Sequence, residues 1–269
     1  MSLLREKIGL PGKKLIGERL RAMTAAPHPK PLFVFGNQKS GTTAVAGLLA
    51  AATGQTVTLD FAGATEPFIG RLLRGQTPVG EFVRVNAWAF STEIVKEPSL
   101  TFAAVPLMEH FGVKRAAFVI RDPHDNIRSI LDRLKLAGDL ERLDVDSVKA
   151  NRTWRSLLAG HDLGLPRDHY VATLARRWLR AVEVFNGARG NFELIRYGDF
   201  RNDRTASIAT LARSLDLDPR HDIAQLAQRP FQRAGRPREA VEFFGKDNLA
   251  RIDEICGNAA ASLGFHAVH

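Results

Sequence analysis

The chain has 269 residues, a length that favours one large or two small domains with a sizeable hydrophobic core. Its 38 Lys and Arg outnumber 29 Asp and Glu, which gives a formal net charge of +9 and favours an anionic partner. The sequence has no standard nucleic-acid-binding motif and no basic stretch interleaved with aromatic residues. The expected partner is therefore an anionic small molecule rather than a nucleic acid.

The sequence contains neither a membrane-spanning stretch nor a secretory signal. No run approaches the roughly 18 apolar residues of a membrane span, and charges interrupt the N-terminal stretch MSLLREKIGLPGKKLIGERLRAM, unlike a secretory signal. Cys256 is the only cysteine, which fits a reducing compartment. We expect a cytoplasmic protein with a basic N-terminal arm over residues 1–30. The arm is expected to be a short helix and loose tail, or a peripheral contact to a membrane surface or partner.

Strand-forming and helix-forming stretches alternate from residue 31 onward. Strands are predicted at PLFVFG (31–36), TVTLDF (56–61), EIVKEP (93–98), RAAFVI (115–120) and NFELIRYGDF (191–200, as strand and turn). Helices are predicted over 42–52, 66–73, 99–111, 123–134, 170–185, 206–215 and 246–263, with loops over 138–167 and 229–240. The alternation predicts a single α/β domain, residues 31–269, with a mostly parallel central sheet flanked by helices.

A glycine-rich turn, GNQKSGTT (36–43), joins the first predicted strand to the first predicted helix. Such a turn presents backbone amides to an anion at a helix N-terminus. Gly41 allows a close approach of the backbone, while Thr42 and Thr43 add hydroxyl donors. Lys39 precedes this glycine, whereas the lysine of a Walker A loop directly follows its second glycine. The loop therefore predicts an anion site built from a lysine and amide groups.

A second anion site is predicted in FVIRDPHDNIRSILDRL. Arg121 stands at the carboxyl end of a strand, where ligands of open α/β sheets bind, and Ser129 lies two turns into the next helix. An arginine there can bind a phosphate bidentately. Asp122 is expected to cap the helix beside an arginine that repels cations, so no metal site is predicted. Two separate phosphate sites indicate a nucleotide phosphorylated at two positions.

These stretches resemble, in order, the motifs of the PAPS-dependent sulfotransferases, which use 3′-phosphoadenosine 5′-phosphosulfate. QKSGTT resembles the family's 5′-phosphosulfate loop, P-K/R-S-G-T-T, and IRDPHDNIRS resembles its 3′-phosphate motif. LIRYGDF resembles its Y-E-D-L stretch, and ICGNAAASLGF resembles its C-terminal helix. The matches span residues 31–266 and imply the P-loop NTPase-like sulfotransferase fold, with PAPS as donor, PAP as product and no required metal.

Roles for individual residues follow from the resemblance. It implies that the 5′-phosphosulfate is held by Lys39, Ser40, Gly41, Thr42 and Thr43, that the 3′-phosphate is held by Arg121 and Ser129, and that Tyr197 lies near the adenine. Related enzymes close over the cofactor at the place of the basic loop 229–240, so Arg233 or Arg236 is expected to reach the 3′-phosphate. Gln38 replaces the usual proline, a change expected to affect loop rigidity more than chemistry.

The general base is less directly indicated. Small-molecule sulfotransferases use a histidine in a K-T-H sequence, but the corresponding residues here are Lys96-Glu97-Pro98. Other branches, including bacterial and Golgi-type carbohydrate and tyrosyl-protein enzymes, use a glutamate after the second strand, the place of Glu66 in GATEPF. We expect Glu66 to be the base, with Asp60 and Glu97 as alternatives, and Lys96 to orient the sulfuryl group.

The resemblance implies in-line transfer of a sulfuryl group from PAPS to a hydroxyl, or less readily an amine. The missing K-T-H favours a carbohydrate, glycolipid or other bacterial metabolite as acceptor, contacted by residues 62–92 and 138–170. One alternative is a P-loop kinase or NTPase, which would need a lysine where Thr42 stands, and Mg²⁺. The other alternative is a non-catalytic PAP-binding protein.

Overall fold

The computed structural model of the protein describes residues 25–229 and 239–265. Most of the predicted N-terminal arm lies outside the described residues. Most of the predicted basic loop, including Arg233 and Arg236, lies outside them as well. Helices and strands are numbered below within the described residues only.

The centre of the fold is a five-stranded sheet in which every strand pair is parallel. The strand order is β2-β3-β1-β4-β5, and the strands are β1 (Leu32–Phe35), β2 (Val57–Leu59), β3 (Ile94–Lys96), β4 (Ala116–Ile120) and β5 (Phe192–Arg196). The predicted α/β class with a mostly parallel sheet is therefore confirmed. β2 and β3 are shorter than predicted: Asp60, after β2, adopts a left-handed φ of 54°, and Pro98, after β3, has no amide to donate to a sheet.

The position of β1 in the middle of the sheet sets the place of the ligand-binding crevice. After β1 the chain crosses to β2 at one edge of the sheet and returns to β3 beside β1, and it then crosses to β4 and β5 on the other side. Phe33 pairs with Val95 of β3, and Val34 pairs with Ala117 of β4. The carboxyl ends of β1 and β4 therefore flank the point where the direction of winding changes, the usual binding crevice of open α/β sheets.

Helices cover both faces of the sheet and bury two apolar clusters. They are α1 (Thr42–Thr53), α2 (Phe68–Leu73), α3 (Val79–Val85), α4 (Ala104–Phe111), α5 (Pro123–Leu134), α6 (Arg152–Leu158), α7 (Tyr170–Gly187), α8 (Tyr197–Asn202), α9 (Arg204–Ser214), α10 (Ala224–Ala227) and α11 (Ala240–Ser262). α1 and α9 pack on one face, and α5, α7 and α11 pack on the other. No helix among these described residues is both long and apolar enough to cross a membrane.

Several predicted boundaries were wrong. The structure has α6 inside the stretch 138–167 that was predicted as loop, where the Asn151 side chain caps the amide of Trp154 at 3.0 Å. The predicted helix 99–111 is split into a 3₁₀ turn over Pro98–Ala103 and α4. The last helix begins at Ala240 rather than residue 246 and is kinked at Gly245. Helices of seven or eight residues offer too few periodic positions to be recognised from sequence.

Candidate active site

Most of the predicted site residues are gathered at one edge of the sheet. The loop 36–41 follows β1, Lys96 ends β3, Arg121 follows β4, and Tyr197 follows β5. Because all strands are parallel, these carboxyl ends share one edge. Residues that are far apart in sequence therefore surround the crevice between β1 and β4.

The loop after β1 folds through two left-handed residues. Lys39 has φ of 69° and Gly41 has φ of 97°, and the Ser40 amide donates to the Asn37 carbonyl at 3.1 Å. A positive φ is uncommon for lysine and suits glycine. Gly41 is the N-cap of α1, but as a glycine it has no side chain to accept the first amides of the helix. These amides and the positive end of the helix dipole are suited to an anion.

Neighbouring elements fix the shape of this loop. Thr101 Oγ1 accepts from the Gly36 amide at 2.8 Å and donates to the Gly36 carbonyl at 3.0 Å. Asn126 Nδ2 donates to the Gln38 carbonyl at 2.9 Å and to Ser40 Oγ at 3.1 Å. The Ser40 hydroxyl accepts in that bond, so its own proton remains available to a ligand oxygen. Sequence reasoning missed both supporting residues, which follow β3 and β4.

Lys39 lies among other cations. Burial, together with the charges of Arg133, Arg121 and Lys96, lowers the pKa of Lys39 to about 8, a shift that Asp132 partly opposes. Arg133 was not predicted as a site residue. It lies on α5 seven positions after Asn126, so both occupy one face of the helix. Asp132 offsets part of this positive charge, and a bound anion would offset more of it.

The second predicted anion site lies beside the first. Arg121 donates through one terminal nitrogen to the Lys39 carbonyl at 3.4 Å, and its other terminal nitrogen lies 3.5 Å from the Asp125 carboxylate. Arg121 Nε is buried and has no partner in the described part of the chain. Ser129 lies one helical turn after Asp125 on α5. The Nε–H of Arg121 is therefore a donor that no protein group among the described residues satisfies.

Tyr197 contacts residues of both predicted anion sites. The Arg121 guanidinium carbon lies 4.8 Å from the centre of the Tyr197 ring, a cation–π contact. The ring also lies against Gly41, since a Cβ built there would lie 2.4 Å from two ring carbons. The predicted contact of Tyr197 with adenine remains a prediction.

The contacts found for Glu66 are with α6. Ser156 donates to Glu66 Oε1 at 3.0 Å, and the Glu66 amide donates to Thr153 Oγ1 at 3.1 Å. The carboxylate lies over Gly70, where a Cβ would be 2.5 Å from Glu66 Oε1. Glu66 is half-buried. Its carboxylate is therefore oriented by a hydroxyl and remains partly accessible, as a general base requires.

The two alternative carboxylates have different surroundings. Asp60, half-exposed, forms an ion pair with the buried Lys96. Glu97 is buried and accepts from the Ser99 amide at 3.1 Å, so it caps the following turn. Burial raises the pKa of Glu97 to about 7, a shift that Lys96 opposes and Asp60 supports. Glu97 has a pKa suited to proton transfer, but burial limits its access to an acceptor.

No group of three or more His, Cys, Asp and Glu that could hold a metal is found in residues 25–229 and 239–265. The histidine nearest to the second anion site, His124, is buried on the first turn of α5. Its Nε2 lies 2.8 Å from Asp253 of α11, and its Nδ1 lies 3.4 Å from Asp122. Trp178 of α7 is also buried, and its indole N–H donates to the Arg121 carbonyl at 2.8 Å. These two side chains hold the end of β4 and the start of α5 in place.

Comparisons with solved structures identify the fold. The chain matches the sulfotransferase STF1 from Mycobacterium tuberculosis with a TM-score of 0.50 and 15% identity, over 91% of this chain and 80% of that one. It matches a sulfotransferase from Alicyclobacillus acidocaldarius with a TM-score of 0.47 and 14% identity, over 87% and 97% of the two chains. A mouse sulfotransferase in complex with PAP matches with a TM-score of 0.49 and 14% identity, over 93% and 90%.

The protein has the sulfotransferase fold. At these identities the similarity shows the fold alone, and the resemblance found in the sequence motifs is confirmed at that level. No protein-family model matches the sequence. No curated protein matches it either.

Proposed function

We propose that this protein is a PAPS-dependent sulfotransferase. The observation that carries the proposal is the convergence of Lys39, Arg121 and Tyr197 at the crevice between β1 and β4, on a sulfotransferase fold. In the proposed reaction a sulfuryl group moves to a hydroxyl, or less readily an amine, of an acceptor.

The described residues fit a doubly phosphorylated nucleotide. Lys39 stands among cations that an anion would stabilise, and the buried Arg121 Nε has no partner in the described ranges. We assign the 5′-phosphosulfate to the loop, through Lys39, Ser40, Gly41, Thr42 and Thr43. We assign the 3′-phosphate to Arg121 and Ser129, joined by Arg233 or Arg236, and the adenine to Tyr197. Bound PAPS supplies the transferable sulfuryl group and a stable leaving group, PAP.

Different residues of the chain have different roles in the proposed sulfuryl transfer. Lys39 and the amides at the start of α1 stabilise the negative charge that develops on the departing phosphate oxygen. Lys96, fixed by Asp60, orients the sulfuryl oxygens. Glu66, oriented by Ser156, takes the proton from the acceptor as the acceptor oxygen attacks in line with the leaving oxygen. Positive charge comes from side chains and backbone amides, so the proposed mechanism requires no metal.

The proposed acceptor is a carbohydrate, glycolipid or other bacterial metabolite. The proposal places it beside Glu66, against residues 62–92 and 138–170. This surface includes Phe68, 55% exposed two residues from the candidate base, which could pack on the face of a sugar ring.

Calorimetric titration with PAP and with ATP, each with and without Mg²⁺, tests the donor. We expect micromolar PAP binding without metal, lost in Lys39→Ala and Arg121→Ala. Arg115→Ala is the matched control, because Arg115 pairs with Glu193 and Asp216 next to the opposite end of β4. Mg²⁺-dependent ATP binding with no PAP binding would instead favour a P-loop kinase.

A further inference from the structure

A fully buried arginine lies behind the phosphate-binding loop. Arg177 of α7 has no exposed surface. Its Nε donates to Asn37 Oδ1 at 3.2 Å and to Gln38 Oε1 at 3.1 Å. One terminal nitrogen donates to Asp162 at 2.6 Å, and the guanidinium carbon lies 4.5 Å from the centre of the Phe102 ring. A side chain from a distant helix thus contacts two consecutive residues of the loop.

Gln38 accepts a hydrogen bond from Arg177 and donates one to the turn after β3. Its side chain is buried, and its Nε2 donates to Ser99 Oγ at 3.0 Å in the turn after β3. Its carbonyl accepts from Asn126 of α5 at 2.9 Å. Gln38 is therefore hydrogen-bonded to three elements at once, directly before Lys39, whose left-handed φ turns the chain into the anion site.

We propose that Gln38 and Arg177 are positioning residues that hold the phosphate-binding loop in its ligand-binding conformation. Side-chain hydrogen bonds here do the work that a proline ring at position 38 would do by fixing φ. The identity of the ligand rests on the proposed function. The role of Gln38 and Arg177 in supporting the loop does not depend on that identity.

The arrangement has an energetic cost that favours this role over simple stabilisation. Burying an arginine is unfavourable even beside Asp162, and a buried ion pair is often no more stabilising than apolar side chains of similar size. The second terminal nitrogen of Arg177 is buried without a partner in the part of the chain that the structure describes. Arg177 instead contributes a fixed geometry, because its planar guanidinium donates to two acceptors in the loop, Asn37 and Gln38.

Arg177 also joins the loop to the region of the candidate base. Asp162 lies in the segment between α6 and α7, four residues after the end of α6. Ser156 of α6 donates to Glu66. Arg177 and Asp162 therefore link the loop to the chain segment that directly follows the helix of Ser156.

Two substitutions at position 38 separate loop support from packing. Gln38→Leu keeps the size of the side chain but removes both of its hydrogen bonds, and we expect PAP affinity to fall about tenfold by calorimetry. Gln38→Pro also removes these bonds but fixes φ, and we expect PAP affinity within about threefold of the unaltered protein. Equal affinities of Gln38→Leu and the unaltered protein for PAP would overturn the proposal.

A matched control separates affinity from stability. Asn248 is also a buried amide, and its Nδ2 donates to the carbonyls of Gly138 and Leu140, outside the loop. Asn248→Leu should lower the melting temperature but leave PAP affinity unchanged. If Asn248→Leu weakened PAP binding as much as Gln38→Leu, the effect would be general destabilisation and the proposal would fail.

A double-mutant cycle tests the role of Arg177. Arg177→Lys keeps the charge but loses the planar donor, and it should weaken PAP binding when Gln38 is present. In the Gln38→Pro background the same substitution should have a smaller effect, because the bond from Arg177 to residue 38 is already absent and only the bond to Asn37 remains to be lost. Equal effects in the two backgrounds would contradict the proposed connection.

Hydrogen exchange of the free protein gives a result that does not depend on the nucleotide. The amides of residues 36–43 should exchange about tenfold faster in Gln38→Leu than in the unaltered protein, and Gln38→Pro should restore slow exchange. If the unaltered protein failed to bind PAP, the proposed function would be wrong. The exchange rates would still test whether Gln38 supports the loop. Unchanged exchange in Gln38→Leu would overturn the positioning role itself.

Discussion

The Tyr197 ring lies directly against the backbone of Gly41, where an added Cβ would stand 2.4 Å from two ring carbons. The ring and the glycine-rich loop after β1 come from the ends of β5 and β1, which β4 separates in the sheet. The contact leaves no room for any side chain at position 41.

Gly41→Ala is expected to lower the free energy of unfolding by about 3 kcal/mol, since it adds a steric clash to a left-handed backbone. Gly75→Ala is the control, because Gly75 has φ of 69° but open space around its Cβ position; it should cost about 1 kcal/mol. Urea unfolding measures both. The double variant Gly41→Ala/Tyr197→Leu should recover part of the lost free energy of unfolding, because the smaller side chain relieves the clash. If the effects of the two substitutions were strictly additive, the clash would be refuted.

The pH dependence of PAP affinity should report the ionisation of Lys39. Burial and neighbouring cations lower the pKa of Lys39 to about 8 in the free protein, and a bound anion should raise it. Affinity should then be greatest below pH 8 and fall as the pH rises above it, with proton uptake on binding.

Calorimetry near pH 8.5, in buffers of different ionisation enthalpy, measures that uptake. Lys39→Arg serves as the control, because a guanidinium stays charged in this range and should remove the uptake. Proton uptake that is the same in Lys39→Arg would assign it to another group.

Arg121→Met should lower the affinity for PAP more than the affinity for 5′-AMP, which lacks the 3′-phosphate. A lost charge-assisted contact of about 1.5–3 kcal/mol corresponds to a roughly tenfold to hundredfold weaker binding of PAP. Arg115→Met should leave both affinities unchanged. An equal loss for the two nucleotides would mean that Arg121 does not read the 3′-phosphate.

Glu66→Gln should slow sulfuryl transfer by about 10²–10⁴-fold while PAP affinity is retained, as expected for loss of a general base. PAP release from PAPS in the presence of carbohydrate acceptors measures transfer. Ser156→Ala should give a smaller loss, because it removes only the hydroxyl that orients the carboxylate. If Glu97→Gln removed transfer and Glu66→Gln did not, the base would be Glu97.

His124 should make stability depend on pH. Burial lowers the pKa of His124, but Asp122 and Asp253 more than compensate, so the folded-state pKa is raised. The protonated histidine therefore stabilises the fold at pH values below its unfolded pKa, and this contribution is lost as the pH rises through the folded pKa.

Asp253→Asn should accordingly lower the free energy of unfolding by about 1 kcal/mol near pH 5.5, with a smaller effect near pH 8.5. Asp216→Asn, which removes a partner of Arg115 rather than of a histidine, should have the same effect at both values. Urea unfolding at the two pH values tests this, and an effect of Asp253→Asn that grows with pH would contradict it.

The sequence was sufficient for features that depend on neighbouring residues. The apolar run PLFVF predicted β1, the glycine-rich GNQKSGTT predicted the turn, and the small apolar residues after it predicted α1. Each of these signals acts over only a few residues. Asp122 was correctly expected to cap α5, and its carboxylate accepts from the Asp125 amide at 3.1 Å. The resemblance of the motifs to those of the sulfotransferases also predicted the fold.

The tertiary structure alone decided which distant side chains support that site. The side chains of Asn126, Thr101 and Arg177 contact the loop from three elements, and local sequence carries no signal for such contacts. Arg177 looks like an ordinary charged position on an amphipathic helix, yet packing buries it completely. Local propensities determined the loop from the sequence itself, whereas contacts between distant residues depend on how the elements pack around the sheet.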